Sequence, residues 1–134
     1  MRIQLHFTSG KPVYLQIVDQ VKSAAASGAV RPGEALPSIR PLAEELRVNR
    51  NTVAKAYAEL ESQGIIETLA GKGCFVRAAS TPFKKAVRVE MLTQEIDAAV
   101  TQAHHLCVEK SDFLRLAEAR FDAFDNQRAR AEKG

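Results

Sequence analysis

Apolar positions fall into distinct rhythms along the chain, and each rhythm predicts an element. Residues 2–7, "RIQLHF", alternate with Ile3, Leu5 and Phe7 on one side, which predicts a short extended arm or edge strand. After the break "TSGK", Val13, Ile17, Val21 and Ala24 recur with helical spacing, and Pro12 suits the first turn of that helix as Gly28 suits its C-terminal cap. "RPGEALPS" is turn chemistry, with Ser38 placed to N-cap a second helix, "IRPLAEELR", whose stripe is Leu42, Ala43 and Leu46. Pro41 fits there only because the first turn has no intrahelical partner for the N–H that proline lacks. A third helix carries Val53, Ala56, Tyr57 and Leu60 at i, i+3, i+4, i+7 and ends at Gly64. Two strands follow, Ile65 to Leu69 and Cys74 to Arg77, joined at a Gly71-Lys72-Gly73 tip.

The small residues and Pro82 of "AASTPF" mark a linker, dividing the chain into an N-terminal domain over 1–79 and a helical segment over 80–134. From Lys84 to about Glu109, Val89, Leu92, Ile96, Ala99, Val100, Ala103 and Cys107 keep the helical period. Lys110-Ser111 interrupts it, and Ser111 is placed to cap a last helix bearing Phe113, Leu114, Ala117, Phe121 and Phe124, before a polar tail, "NQRARAEKG", that should fray. The fold class is therefore mainly α with a small β wing: an N-terminal winged helix-turn-helix and two C-terminal α-helices. Two amphipathic helices of this length gain by packing on a symmetry mate. Leu92, Ile96, Val100, Ala103, Phe113, Ala117, Phe121 and Phe124 are the candidate dimerisation residues.

Composition narrows the function. The 134 residues are 46% hydrophobic and 26% charged, enough to build a core and too apolar for disorder. A net charge of +3, from 19 basic and 16 acidic residues, permits a polyanionic partner without requiring one, so the placement of charge decides. With neither a membrane-length apolar run nor a secretory signal, a cytoplasmic protein is expected. Cys74 and Cys107, far apart and outside any CxxC spacing, fit free thiols in a reducing compartment. No nucleophile triad, paired-carboxylate site or P-loop is present, so neither enzymatic activity nor a cofactor is expected.

The third helix places its charge informatively. At about 100° per residue, the direction opposite Val53, Tyr57 and Leu60 holds Asn51, Lys55, Ala58 and Ser62, with no acid. In the DNA major groove Arg reads guanine and Asn reads adenine through paired hydrogen bonds. Arg50 and Asn51 have that chemistry, and Arg50, although turned toward the packing side, can project beyond the helix end. Asn49 has a competing local role as N-cap. Thr52 and Lys55 suit phosphates, which set register and salt dependence. Arg40 could reach a phosphate or base edge, or pair with Glu44 at i+4; Lys72 fits a wing tip, or simply an exposed hairpin.

Several motifs in fixed order carry a family resemblance over residues 10–77: P-x-Y-x-Q-I at Pro12 to Ile17, P-G-x-x-L-P-S-x-R at Pro32 to Arg40, L-A-x-E-L at Leu42 to Leu46, N-T-V at Asn51 to Val53, and G-x-G-x-F-V at Gly71 to Val76. This stretch resembles the winged helix-turn-helix domain of the GntR family of bacterial transcription regulators. The resemblance implies DNA contacts from Ser38 and Arg40, from Asn49, Arg50, Asn51 and Thr52, and from Gly71 and Lys72. Arg47 stands where the family usually has glycine, a substitution worth roughly 1 kcal/mol if the turn is left-handed. The short C-terminal segment resembles the YtrA-type subfamily, which implies a homodimer on double-stranded DNA, reading an inverted repeat and acting as a repressor. Two other readings compete. One is a metal- or small-molecule-responsive sensor using the C-terminal helices, with His104 and Cys107 at i, i+3 as two ligands lacking evident others; the second is a winged-helix protein-interaction adaptor, which an acid-rich reading face would favour. The sequence names no effector.

Overall fold

A computed structural model describes residues 1–78 and 83–133. Its elements are α1 (Val13–Ser27), α2 (Ile39–Leu46), α3 (Arg50–Ser62), β1 (Ile66–Leu69), β2 (Gly73–Val76), α4 (Lys85–His105) and α5 (Lys110–Lys133). They fall into two compact units, Met1–Ser80 with Gln127–Gly134, and Thr81–Asn126. The linker read at "AASTPF" lies largely outside the described residues, as does the expected boundary itself.

In the first unit, the stripes of α1 and α3 meet. Ile17 and Val21 of α1 and Val53, Ala56 and Leu60 of α3 are fully buried, and Val30, Leu36, Leu42, Ala43, Ile66 and Val76 complete the core. Each fully buried branched side chain stabilises the fold by about 1.5–3 kcal/mol. Helix α1 starts at Pro12, whose carbonyl accepts from the Leu15 and Gln16 N–H groups, and stops at left-handed Gly28. Arg47 ends α2 in the left-handed region, at φ 56°, and its N–H together with that of Val48 satisfies the last carbonyls of the helix. At the head of α3 the Asn49 side chain caps the helix as expected, accepting from the Asn51 N–H at 2.8 Å, while Thr52 donates to the Asn49 carbonyl.

Strands β1 and β2 pair antiparallel, from Ile66 opposite Val76 to Leu69 opposite Gly73, so the tip is Ala70-Gly71-Lys72 and Gly73 belongs to the strand. The turn reading of "RPGEALPS" missed a third extended segment. Gly33 donates to the Val76 carbonyl, Val76 to that of Glu34 and Leu36 to that of Cys74, so residues 33–36 line the free edge of β2. The prolines on either side hid this run, yet Leu36 is buried within it.

The N-terminal arm is extended but forms no strand, because side chains take the place of a neighbouring ladder. The Gln16 carboxamide accepts from the His6 N–H and donates to the His6 and Lys11 carbonyls; Gln20 does the same for Gln4. Ile3 and Leu5 pack on the core, whereas Phe7, expected on the same side, is 67% exposed.

In the second unit α4 ends earlier than the periodicity predicted. Cys107 lies beyond the helix at φ 56° and Val108 donates back to the Ala103 carbonyl, closing the end. Helix α5 begins at Lys110, with the Glu109 carbonyl accepting from Phe113, so Ser111 sits inside the first turn rather than at the cap. The tail expected to fray, which from Gln127 onward belongs to the first unit, is helical to Lys133, and its Ala, Arg, Gln, Glu and Lys are strong helix formers. Of the residues read as an interface, Leu92, Ile96, Val100, Ala117 and Phe121 are exposed, Phe113 and Phe124 are half-buried, and Ala103 is buried.

The hydroxyl of buried Tyr57 donates to the Pro37 carbonyl at 2.6 Å, tying α3 to the segment that leads into α2. Burial pushes this phenol well above its ordinary value, with a smaller push from Cys74. Because the folded state favours the neutral phenol, its contribution is intact below the unfolded value of about 10 and declines as pH rises beyond it. Tyr57→Phe should lower unfolding free energy by about 1 kcal/mol at neutral pH in urea titrations and should lessen the loss of stability above about pH 10.

Candidate nucleic-acid interface

The helical stripe that fixes α3 leaves its first turn outside the core. Arg50, Asn51 and Lys55 are exposed and Thr52 is half-buried, while Tyr57, the least buried member of the stripe, is only 4% exposed. Arg50, which the wheel turned toward the packing side, projects from the helix end into solvent.

Two shallow depressions flank this turn. Asn49, Arg50 and Asn51 line one at the α2–α3 corner, with Ala43, Glu44, Arg47 and Val48. Asn51, Thr52 and Lys55 line the other, with Val13 and Tyr14 from the start of α1. Asn51 thus stands on the ridge between them. In the second depression the Lys55 ammonium sits over the Tyr14 ring, 4.1 Å from its centroid.

The remaining candidates come from neighbouring elements. Ser38 occupies the N-cap position of α2, but its side chain makes no capping bond. The Arg40 guanidinium donates to Glu44 at 3.4 Å, the i+4 pairing weighed against a DNA contact; both side chains are 71% exposed, so the pair is readily exchanged for a phosphate. Gly71 and Lys72 are exposed at the hairpin tip, where Gly71 has φ 75° and the Lys72 N–H donates to Leu69.

Sequence reasoning missed two residues beside this turn. Glu44 brings a carboxylate to the edge of a face that α3 alone leaves free of acid, and only the α2–α3 angle reveals it. Tyr14 enters the sequence reading only as the Y of P-x-Y-x-Q-I, and nothing local ties it to Lys55, 41 residues away in the chain. His104 and Cys107 do not share one helix face at i, i+3, since His104 is in the last turn of α4 whereas Cys107 has left the helix. Among the described residues no three His, Cys, Asp or Glu side chains are grouped to hold a metal ion.

A short helix, a left-handed corner, a second helix with a polar first turn and a β hairpin define a winged helix-turn-helix module. Comparison with known proteins agrees. The family model for bacterial regulatory proteins of the gntR family matches residues 13–76. The HTH-type transcriptional repressor YtrA of Bacillus subtilis (strain 168) is 38% identical over 80% of this chain and 82% of its own. A crystal structure of a transcriptional antiterminator from Listeria monocytogenes EGD-e superposes with a TM-score of 0.81 at 29% identity, covering 92% of each chain. The AraR DNA-binding domain, crystallised with its operator ORX1, superposes over 57% of this chain and 98% of its own, with a TM-score of 0.51 and 27% identity. The chain belongs to the GntR family of bacterial regulatory proteins. It is a DNA-binding transcription regulator and not an enzyme. Among the described residues, no helix is long and apolar enough to cross a membrane.

Glu44 supplies a direct check on the electrostatics of the face. Glu44→Gln should change stability by less than about 0.5 kcal/mol, as for an exposed pair. It should also tighten binding to every duplex in fluorescence anisotropy at about 50 mM salt, by removing a negative charge beside the first turn of α3 and releasing Arg40.

Proposed function

We propose that the protein is a cytoplasmic repressor that binds an inverted-repeat operator as a homodimer, with residues 1–79 contacting DNA and 80–134 joining the subunits. The observation that carries this reading is the division of α3: its apolar stripe is locked in the core while Arg50 and Asn51 stand exposed at its leading end. In this reading Arg50 and Asn51 read base edges, Asn49 caps the helix and lies beside them, and Ser38, Arg40, Thr52, Lys55, Gly71 and Lys72 contact the backbone. The repressor assignment draws on the similarity to YtrA, and the DNA contact on the AraR domain and its operator.

Support for the dimer is physical. Leu92, Ile96, Leu114, Leu116 and Phe121 are 47–73% exposed, an apolar load that single monomers rarely leave in water. Among the described residues α4 and α5 do not pack along each other, and most of both stripes stays exposed. A two-fold dimer would cover them and present two copies of α3 to half-sites related by the same symmetry.

Footprinting on genomic DNA flanking the gene should reveal a protected inverted repeat; protection of no such repeat refutes the reading. Arg50→Ala and Asn51→Ala should each erode discrimination at one position per half-site by about 1–3 kcal/mol. Lys72→Ala should weaken all sequences alike and reduce the salt slope by about 0.9 for each phosphate the lysine neutralises. Leu92→Glu combined with Ile96→Glu should yield monomers in sedimentation and lower affinity for the full repeat roughly 100-fold, leaving single half-sites unaffected.

A further inference from the structure

We propose that Tyr14 is a positioning residue of the DNA interface, its ring holding the Lys55 ammonium beside the first turn of α3 so that the cation is in place before a backbone phosphate arrives. The inference rests on the DNA-binding reading above and brings α1 into the interface beside α2, α3 and the wing.

Lys55 differs from two other exposed cations of the first unit, Arg40 and Lys11, in the partner it meets. Arg40 meets Glu44 and Lys11 meets Asp19, so each shares its charge with a carboxylate. Lys55 instead sits over the Tyr14 ring at 4.1 Å, and the depression around it is lined by Val13, Asn51 and Thr52, with no acid among them. A carboxylate would neutralise the ammonium and have to be displaced by phosphate. An aromatic face attracts the cation on one side and leaves its charge and its other N–H donors available.

The ring is itself fixed. Tyr14 is half-buried and packs against the core, in the second position of α1, the helix whose stripe meets that of α3. An unrestrained lysine has four side-chain torsions to order when it grips a phosphate, which opposes binding. A fixed ring that already holds the ammonium reduces that penalty. Asn51 and Thr52 line the same depression, so a phosphate held by Lys55 would lie next to Asn51 and fix its register against a base edge.

The test is a double-mutant cycle in the full-length chain, read by fluorescence anisotropy with a random-sequence duplex over a salt series. Tyr14→Phe keeps the ring and should bind as the parent does. Tyr14→Leu keeps the apolar bulk but loses the ring, and should weaken binding about two- to fivefold, the range of an exposed cation–π contact. Lys55→Met should lower the salt slope by about 0.9. Within the Lys55→Met background, Tyr14→Leu should have no further effect. A loss from Tyr14→Leu that persists without the lysine would overturn the proposal, as would equal losses from Tyr14→Phe and Tyr14→Leu, or none from Tyr14→Leu. If the parent chain binds no duplex with salt dependence, the DNA-binding reading falls and this proposal with it; parental binding without Tyr14–Lys55 coupling removes the proposal alone.

Discussion

Everything at the exposed leading end of α3 depends on the packing of the α3 stripe against α1. Val53, Ala56, Tyr57 and Leu60 have one arrangement in which all four leave water, and that arrangement sets the rotation of α3 about its own axis. A rotation of one residue, about 100°, would bury Asn51 or Lys55 and expose a core side chain. Ala56 contributes by being small, since a single methyl lets the two helices approach. The orientation of polar side chains is thus inherited from apolar ones, and no polar contact is needed to aim them.

Two further constraints complete the frame. Tyr57 reaches out of the stripe to the Pro37 carbonyl, so the residue that anchors α3 also places the entrance of α2, where Ser38 and Arg40 lie. The backbone of residues 33–36 runs along β2, which connects that entrance to the wing. The three regions proposed to meet DNA are therefore tied to one core through a few hydrogen bonds. Arg47 closes the corner between α2 and α3 in a conformation glycine would adopt without strain, and backbone bonds to the end of α2 hold it there.

Much of this was legible in the sequence because periodicity reports burial. The three helices of the first unit, the hairpin and the stripe residues follow from spacing, and so does the exposed end of α3. Errors arose where local chemistry had two outcomes. "RPGEALPS" carries turn residues but also an extended run whose partner lies 40 residues away at β2, beyond local reading. "RIQLHF" alternates like a strand, yet Gln16 and Gln20 supply its hydrogen bonds, and nothing in a spacing pattern marks a glutamine as a substitute for backbone. Cys107 fell on the helical period but outside the helix, because periodicity continues through a residue whose backbone has already turned. The placement of Glu44 and Tyr14 beside α3 was not legible for a different reason: both reach it from other helices, at angles that only packing sets.

The division of labour along α3 has an evolutionary consequence. Residues that fold the helix and residues that face outward from it form disjoint sets, so substitutions at Arg50 and Asn51 remove no buried side chain and leave no cavity. With Arg50 and Asn51 reading bases as proposed, a lineage carrying this scaffold can exchange one target sequence for another without emptying its core. Gene duplication followed by drift at a handful of exposed positions is then sufficient to build a set of regulators on one shared core.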